Sequence, residues 1–271
     1  MNVVVIGGGF VGQLVQWAIP EARILDWRNN APADHLETRI GPRYLWEPIP
    51  GVPSSSFDVV TTIDNQPPTL ESILTYKKKV GKENDGGNWD VQFRHHTTGF
   101  RSQLPVPRIE FGKRVTMIDH RSRVLWTNNL DVVHYDWLVS TIPLPALLDI
   151  FGSSHASSFR SQVIYMTRTP IPQDVIGDVL HMNYVSDPQT PIYRVTDSLG
   201  ERFSESLVRI DSSAIKIMPG KIFTYPEAEH LLNQLGALRC KCFGRFGTWR
   251  PDELAHETWS LIIAWRDEIY G

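Results

Sequence analysis

Cysteine is scarce in this chain: only Cys240 and Cys242 occur in 271 residues, separated by a single lysine. Two thiols that close in a strand-like segment exclude a disulfide framework and a four-ligand metal site, and they read as reduced core or edge residues of a cytoplasmic protein. Long apolar runs are lacking as well. No segment approaches the roughly 20 residues of a membrane span, and the short apolar start has no basic leader, so neither a spanning helix nor a targeting signal is expected. Of nine histidines only His95 and His96 are adjacent, which is not a ligand spacing, and no metal is expected. No Ser/His/Asp arrangement stands out. Neither sign of charge dominates, since the net charge is −3, which argues against a general polyanion binder. What remains, 41% hydrophobic and 21% charged residues, describes a soluble globular protein of one or two domains.

Glycine, by contrast, is concentrated where it carries meaning. Val3 to Ile6 form a short apolar run that reads as a buried parallel strand, and Gly7, Gly9 and Gly12 follow with G-x-G-x-x-G spacing. Gly7 permits a tight turn, Gly9 lets backbone approach a pyrophosphate, and Gly12 lets the next helix pack closely with its N-terminus toward the phosphates. That helix is predicted from Phe10 to Ile19, with Val11, Leu14, Val15 and Ala18 on one face and Pro20 closing it. Ala22 to Asp26 read as a second strand ending in a carboxylate nineteen residues after Gly7, the offset of a ribose-binding acid. Strand, turn, helix, strand and acid in that order make a dinucleotide site, with the choice between nicotinamide and flavin left open by these residues alone.

Further along, Phe57 to Ile63 read as a strand, Leu70 to Val80 as a short helix, Lys82 to Asn88 as a polar loop and Trp89 to Phe93 as a strand. Three short strands are predicted at Arg114 to Asp119, Arg123 to Trp126 and Asp131 to Tyr135. Between Tyr76 and Arg123 eleven Lys and Arg stand against five Asp and Glu, interleaved with Trp89, Phe93 and Phe100. Such a mixture suits a nucleic-acid surface, and equally a solvated face of hairpins.

Two later segments carry a family resemblance. The strand-like run Asp136 to Pro145, with Ser140-Thr141-Ile142-Pro143-Leu144 at its end, resembles the strand that closes the dinucleotide domain of the flavoprotein amine oxidase superfamily, including its UDP-galactopyranose mutase branch. Gly244-Arg245-Phe246-Gly247-Thr248-Trp249-Arg250-Pro251-Asp252-Glu253-Leu254 resembles the mutase branch's run from a strand into the helix that points at the flavin ring. Met182-Asn183-Tyr184, Pro191 to Val195 and Tyr225-Pro226 resemble further mutase segments. The chain departs from that pattern at Gly41-Pro42, where the family has two glycines, and is shorter than a typical mutase, which bears on the substrate-binding part.

The resemblance implies an α/β fold in which a Rossmann-like FAD-binding domain, built from 1–50, 109–150 and 220–271, carries an inserted smaller mixed or β substrate domain from 51–108 and 151–219. It implies FAD as cofactor, met by Gly7, Gly9, Phe10, Val11, Gly12, Asp26, Arg28, Val115, Arg245, Glu253 and Leu254. Pro251 would open the last helix, whose buried face is predicted at Leu254, Thr258, Leu261, Ile262, Trp265 and Ile269. Arg194 would anchor a substrate carboxylate or phosphate, or else pair with Asp197 or Glu201 as an ordinary strand arginine. Tyr193 and Trp249 would wall the pocket, or else serve as core aromatics. The implied activity is oxidation of an amine C–N bond to an imine that water then hydrolyses. The chain also looks like small phage-encoded flavoproteins of thymidine hypermodification, which implies glycinyl-thymidine in DNA as substrate, yielding 5-aminomethyl-deoxyuridine and glyoxylate. The competing readings are a sugar-nucleotide mutase using reduced FAD, a non-catalytic dinucleotide-binding partner and a DNA-binding module.

Overall fold

The computed structural model describes residues 1–29, 45–81, 93–102, 104–171, 179–198 and 200–271. At its centre is β1 (Val3–Ile6), buried along its whole length, as expected of a strand covered on both faces. It lies between β2 (Arg23–Leu25) and β9 (Trp137–Ser140), with β15 (Cys240–Cys242) beyond β9 and β5 (Ile109–Glu110) beyond β2; every pairing in this five-stranded sheet is parallel. Both cysteines are free and buried, on the edge strand.

One face of the sheet is covered by α1 (Phe10–Ala18) and α5 (Ala255–Tyr270), whose Leu14, Val15, Trp259, Ile262 and Trp265 pack with Val3 and Val5. The other is covered by α3 (Leu144–Ile150), α4 (Ala228–Ala237) and a three-stranded antiparallel sheet of β6 (Val115–Asp119), β7 (Val124–Thr127) and β8 (Val132–His134). The last helix differs from its sequence prediction in two ways. It begins at Ala255, with Pro251 in a preceding turn, because the Leu254 N–H is capped by Glu257 Oε2 at 2.8 Å. Its buried face takes Trp259 and leaves Leu261 44% exposed.

A second, seven-stranded sheet joins β3 (Ser54–Ile63), β4 (His96–Ser102), β10 (Ser161–Pro170), β11 (Val179–Tyr184), β12 (Ile192–Ser198), β13 (Glu201–Ser206) and β14 (Ile215–Ile222) in the order β14-β10-β13-β12-β11-β3-β4. Only β11 and β3 run parallel, which is where the two chain segments meet. Helix α2 (Leu70–Lys79) starts at a Thr69–Ser72 capping box and buries Tyr76 against Phe93 and Tyr184 at ring distances of 5.8 and 4.9 Å. Phe93 thus belongs to the core beneath α2, in a turn and not at the end of a strand; the remainder of the strand predicted there, and the loop before it, lie outside the described residues.

Candidate functional site

Parallel sheets gather ligands at the carboxyl ends of their strands, where the strand order reverses, and here that point lies between β1 and β9. Gly7 follows β1 with φ +106°, and a Cβ there would stand 2.6 Å from Thr141 Oγ1. Gly12 is tighter still, since a Cβ would approach the Gly7 carbonyl oxygen to 2.0 Å. Gly9 caps α1 without a side-chain acceptor and faces open space, which leaves the helix N-terminus to a ligand. Thr141 bolts the turn to β9: its N–H donates to the Ile6 oxygen at 3.0 Å and its hydroxyl to the Gly7 oxygen at 3.0 Å. Beside this turn is a cavity of about 410 Å³ bordered by Gly7, Trp27, Lys113, Arg114, Val115 and Pro143, among others. Val115 is 5% exposed there, while Trp27 is 67% exposed.

The acid at the end of β2 is occupied within the chain. Asp26 is 3% exposed, and its carboxylate accepts from the Gly8 N–H, the Arg28 N–H and two guanidinium nitrogens of Arg28. Burial pushes its pKa up, but those hydrogen bonds outweigh burial and hold it below the usual carboxylate range.

The loop from Gly244 to Trp249 closes the crevice against α1. Gly244 has φ +81°, and a Cβ there would meet Val11 at 2.7 Å; the Leu144 N–H donates to the Phe246 oxygen at 2.9 Å. Glu253 fastens this loop to α5, accepting from the Gly244 N–H and from the hydroxyls of Thr248 and Thr258. Its carboxylate therefore holds the chain together, a different use from the cofactor contact expected of it. Arg245 lies over Phe246 at 6.0 Å, and Phe10, Val11 and Leu254 stay around the same turn and helix ends. Trp249 is a core residue and not an open pocket wall: it is 2% exposed, stacks edge-on against Phe159 at 5.2 Å and donates Nε1–H to the Phe223 oxygen at 2.9 Å. Its φ of +58° is strained for a bulky side chain, so the loop is held in place by its surroundings.

Arg194 and Tyr193 meet on a carboxylate that sequence spacing did not single out. Both donate to Glu205, which is 4% exposed, the guanidinium through Nε at 3.0 Å and Nη2, the phenol through its hydroxyl. Asp197 and Glu201 hold Arg202 and Arg168 instead. Adjacent strand residues ordinarily point to opposite faces, but a register shift between Ile192 and Arg194 turns both toward one carboxylate. Burial is the largest cause pushing the Tyr193 pKa up, so the phenol stays a donor. The ammonium of Lys221, 8% exposed, stands over the Tyr193 ring at 3.9 Å.

The basic stretch is distributed over several elements. Lys79 donates to the carbonyls of Val185 and Ile192, Arg101 lies over Phe57, Arg108 donates to the Pro20 oxygen and Lys113 pairs with Asp131, while Lys78 is exposed. Lys82 and Trp89 lie outside the described residues. Among the described residues there is no cluster of three or more His, Cys, Asp or Glu placed to hold a metal, and no helix long and apolar enough to cross a membrane.

No family model matches the chain, and no curated protein matches it in sequence. Solved structures do share its fold. A reduced UDP-galactopyranose mutase aligns over 100% of this chain and 95% of its own, with TM-score 0.66 and 13% identity. A CLA-producing fatty acid isomerase from P. acnes aligns over 100% and 99%, with TM-score 0.55 and 12% identity, and the PF1083 protein from Pyrococcus furiosus over 99% and 97%, with TM-score 0.50 and 10% identity. The α/β class expected from the sequence, a Rossmann-like parallel sheet with a further mixed sheet, is the observed fold.

Proposed function

We propose that this chain binds FAD in the crevice between β1 and β9 and is a flavin-dependent oxidoreductase that oxidises the C–N bond of an amine. The observation that carries the cofactor reading is the open N-terminus of α1 at Gly9, beside a turn that Gly7 and Gly12 alone can form and a cavity bordered by Val115. FAD, when bound, supplies the group that takes two electrons and a hydrogen from the substrate C–H bond. The chain's part is positional. N–H groups at the start of α1 meet the pyrophosphate, and the Gly244–Trp249 loop backs the turn from the other side. On the seven-stranded sheet, Arg194 offers the guanidinium N–H groups that Glu205 does not take, to orient a substrate carboxylate. Water then adds to the imine and releases the amine and a carbonyl product. Glycinyl-thymidine in DNA, giving 5-aminomethyl-deoxyuridine and glyoxylate, is the substrate we put forward.

The likeness of the whole chain to a reduced UDP-galactopyranose mutase favours a second reading, a sugar-nucleotide isomerase with no net redox change. Anaerobic visible absorption separates them. Flavin bands that bleach when DNA carrying glycinyl-thymidine is added, and return with air, support the amine oxidase. Turnover of a nucleotide sugar only after a reductant is added supports the isomerase, and a chain that takes up no FAD overturns both.

A further inference from the structure

The Asp26 carboxylate presents two oxygens with about four lone-pair sites between them. All four are filled from within the chain. Oδ2 accepts from the Gly8 N–H at 2.7 Å and from Arg28 Nη2 at 2.6 Å, and Oδ1 from the Arg28 N–H at 2.9 Å and from Arg28 Nε at 2.8 Å. The clamp is built tightly: a Cβ on Gly8 would come within 2.8 Å of Oδ2 and 2.9 Å of Ile109. Backbone bonds hold the Arg28 end as well, from the Gly112 N–H to the Arg28 oxygen at 2.6 Å and from the Lys113 N–H to the Asp26 oxygen at 2.9 Å. A ribose hydroxyl arriving at the end of β2 finds no acceptor on Asp26. It finds Arg28, whose side chain is 37% exposed and uses two of its five N–H donors on the aspartate. The cavity next to it is bordered by the cations Lys113 and Arg114 and by the exposed indole of Trp27; its one bordering carboxylate, Asp149, comes from α3.

We infer that the adenosine-ribose subsite of this crevice is a donor site, in which Arg28 meets the ribose oxygens, Trp27 covers the base and Asp26 is a positioning residue. This rests on the dinucleotide reading of the crevice and reverses the role that the acid's spacing suggests. An acid facing the ribose repels a phosphate placed on it, whereas a guanidinium attracts one. The subsite therefore accepts a ribose carrying a 2′-phosphate.

The test uses the full chain and two small probes, AMP and adenosine 2′,5′-bisphosphate, with binding followed by calorimetry and by tryptophan fluorescence. The bisphosphate is expected to bind on the order of tenfold more tightly than AMP, the worth of about one charge-assisted hydrogen bond. Arg28→Met removes that preference, and Trp27→Leu removes the fluorescence change. Because Arg28→Met leaves a buried carboxylate short of partners, the double variant Asp26→Asn with Arg28→Met, which buries no lone charge, is measured beside it and shows the same lost preference. Binding of AMP well above the bisphosphate, or a preference that survives both variants, overturns the inference and returns Asp26 to the ribose. FAD uptake without binding of either probe overturns it too, leaving the flavin reading intact. Probe binding with the stated preference but no FAD uptake overturns the flavin reading alone, and a chain that binds none of the three overturns both.

Discussion

Two carboxylates, Asp26 in the parallel sheet and Glu205 in the seven-stranded sheet, are buried to almost the same degree, at 3% and 4% exposure, and are satisfied in opposite ways. Asp26 draws its donors from its own turn, two of them backbone N–H groups, and none of its partners lies more than eighteen residues away. It has become part of the frame that shapes the glycine turn. Glu205 is held wholly by side chains, Tyr193 and Arg194, brought across a hairpin by a local register shift, with the Lys221 ammonium on the far side of the tyrosine ring. One acid completes a scaffold, and the other organises side chains that keep hydrogen-bonding capacity for a ligand.

The largest effects should come from the frame. Gly12→Val places side-chain atoms where a Cβ already stands 2.0 Å from the Gly7 oxygen, so α1 cannot stay against β1. We expect a loss of more than about 3 kcal/mol and no dinucleotide uptake, measured by chemical denaturation and flavin absorbance. A Gly12→Val protein that folds and binds FAD normally would break the claim that the turn is shaped by close backbone approach.

Next in size is Glu205→Leu, which strands Arg194 and the Tyr193 hydroxyl. Removing one partner of a buried ion pair costs about 3–5 kcal/mol, and the partial exposure of Arg194 places this case at or below the lower end. Glu205→Gln keeps one acceptor and should cost about half as much in the same denaturation experiment. Equal stability of all three proteins would remove the contrast with Asp26.

Acid sharpens the comparison from the other side. The Asp26 pKa is lowered in the folded chain, so on acidification the unfolded chain takes up its proton first. The associated stability is present above the unfolded carboxylate value of about 3.9 and is lost as pH falls through the lower folded value. Asp26→Asn should flatten the fall of melting temperature below about pH 4.5. Other carboxylates, Glu110 held low by its hydrogen bonds from Arg23 among them, keep part of the slope in the variant. A slope identical to wild type would mean that Asp26 is not clamped in solution.

This contrast also explains what could be read from the residues alone. The parallel sheet was legible because its information is local: β1, the glycine turn, α1 and β2 fall within residues 3 to 25, and the three short strands from Val115 to His134 are announced by their alternation. Glu205 was not legible, since nothing in spacing says that a register shift will turn Tyr193 and Arg194 to one face, or that β14 will deliver Lys221 there. Charge along the sequence misled for the same reason. Lys79 sits in a run of three lysines yet is pinned to the carbonyls of Val185 and Ile192, more than a hundred residues away. The C-terminal motif was found by resemblance, but the inward use of Glu253 and the burial of Trp249 are consequences of packing against Val11, Phe159 and Phe223.

The smallest effect worth measuring is at Thr141, which belongs to the resembling strand and was passed over as a residue with a task of its own. Its hydroxyl donates to the Gly7 oxygen at 3.0 Å, and its backbone N–H to the Ile6 oxygen; Thr141→Val deletes the first bond, keeps the second and nearly keeps the shape. A single neutral hydrogen bond of this kind contributes about 1 kcal/mol. Because the Gly7 carbonyl also packs against Gly12, the loss should reach the ligand as well as the fold, lowering dinucleotide affinity a fewfold, as read from a flavin titration. A Thr141→Val protein that loses stability but binds the dinucleotide unchanged would confine Thr141 to holding the sheet. One that loses affinity without losing stability would show that the turn relaxes only when no ligand braces it, the behaviour expected of a site whose polar groups are used to shape backbone and not to touch the ligand.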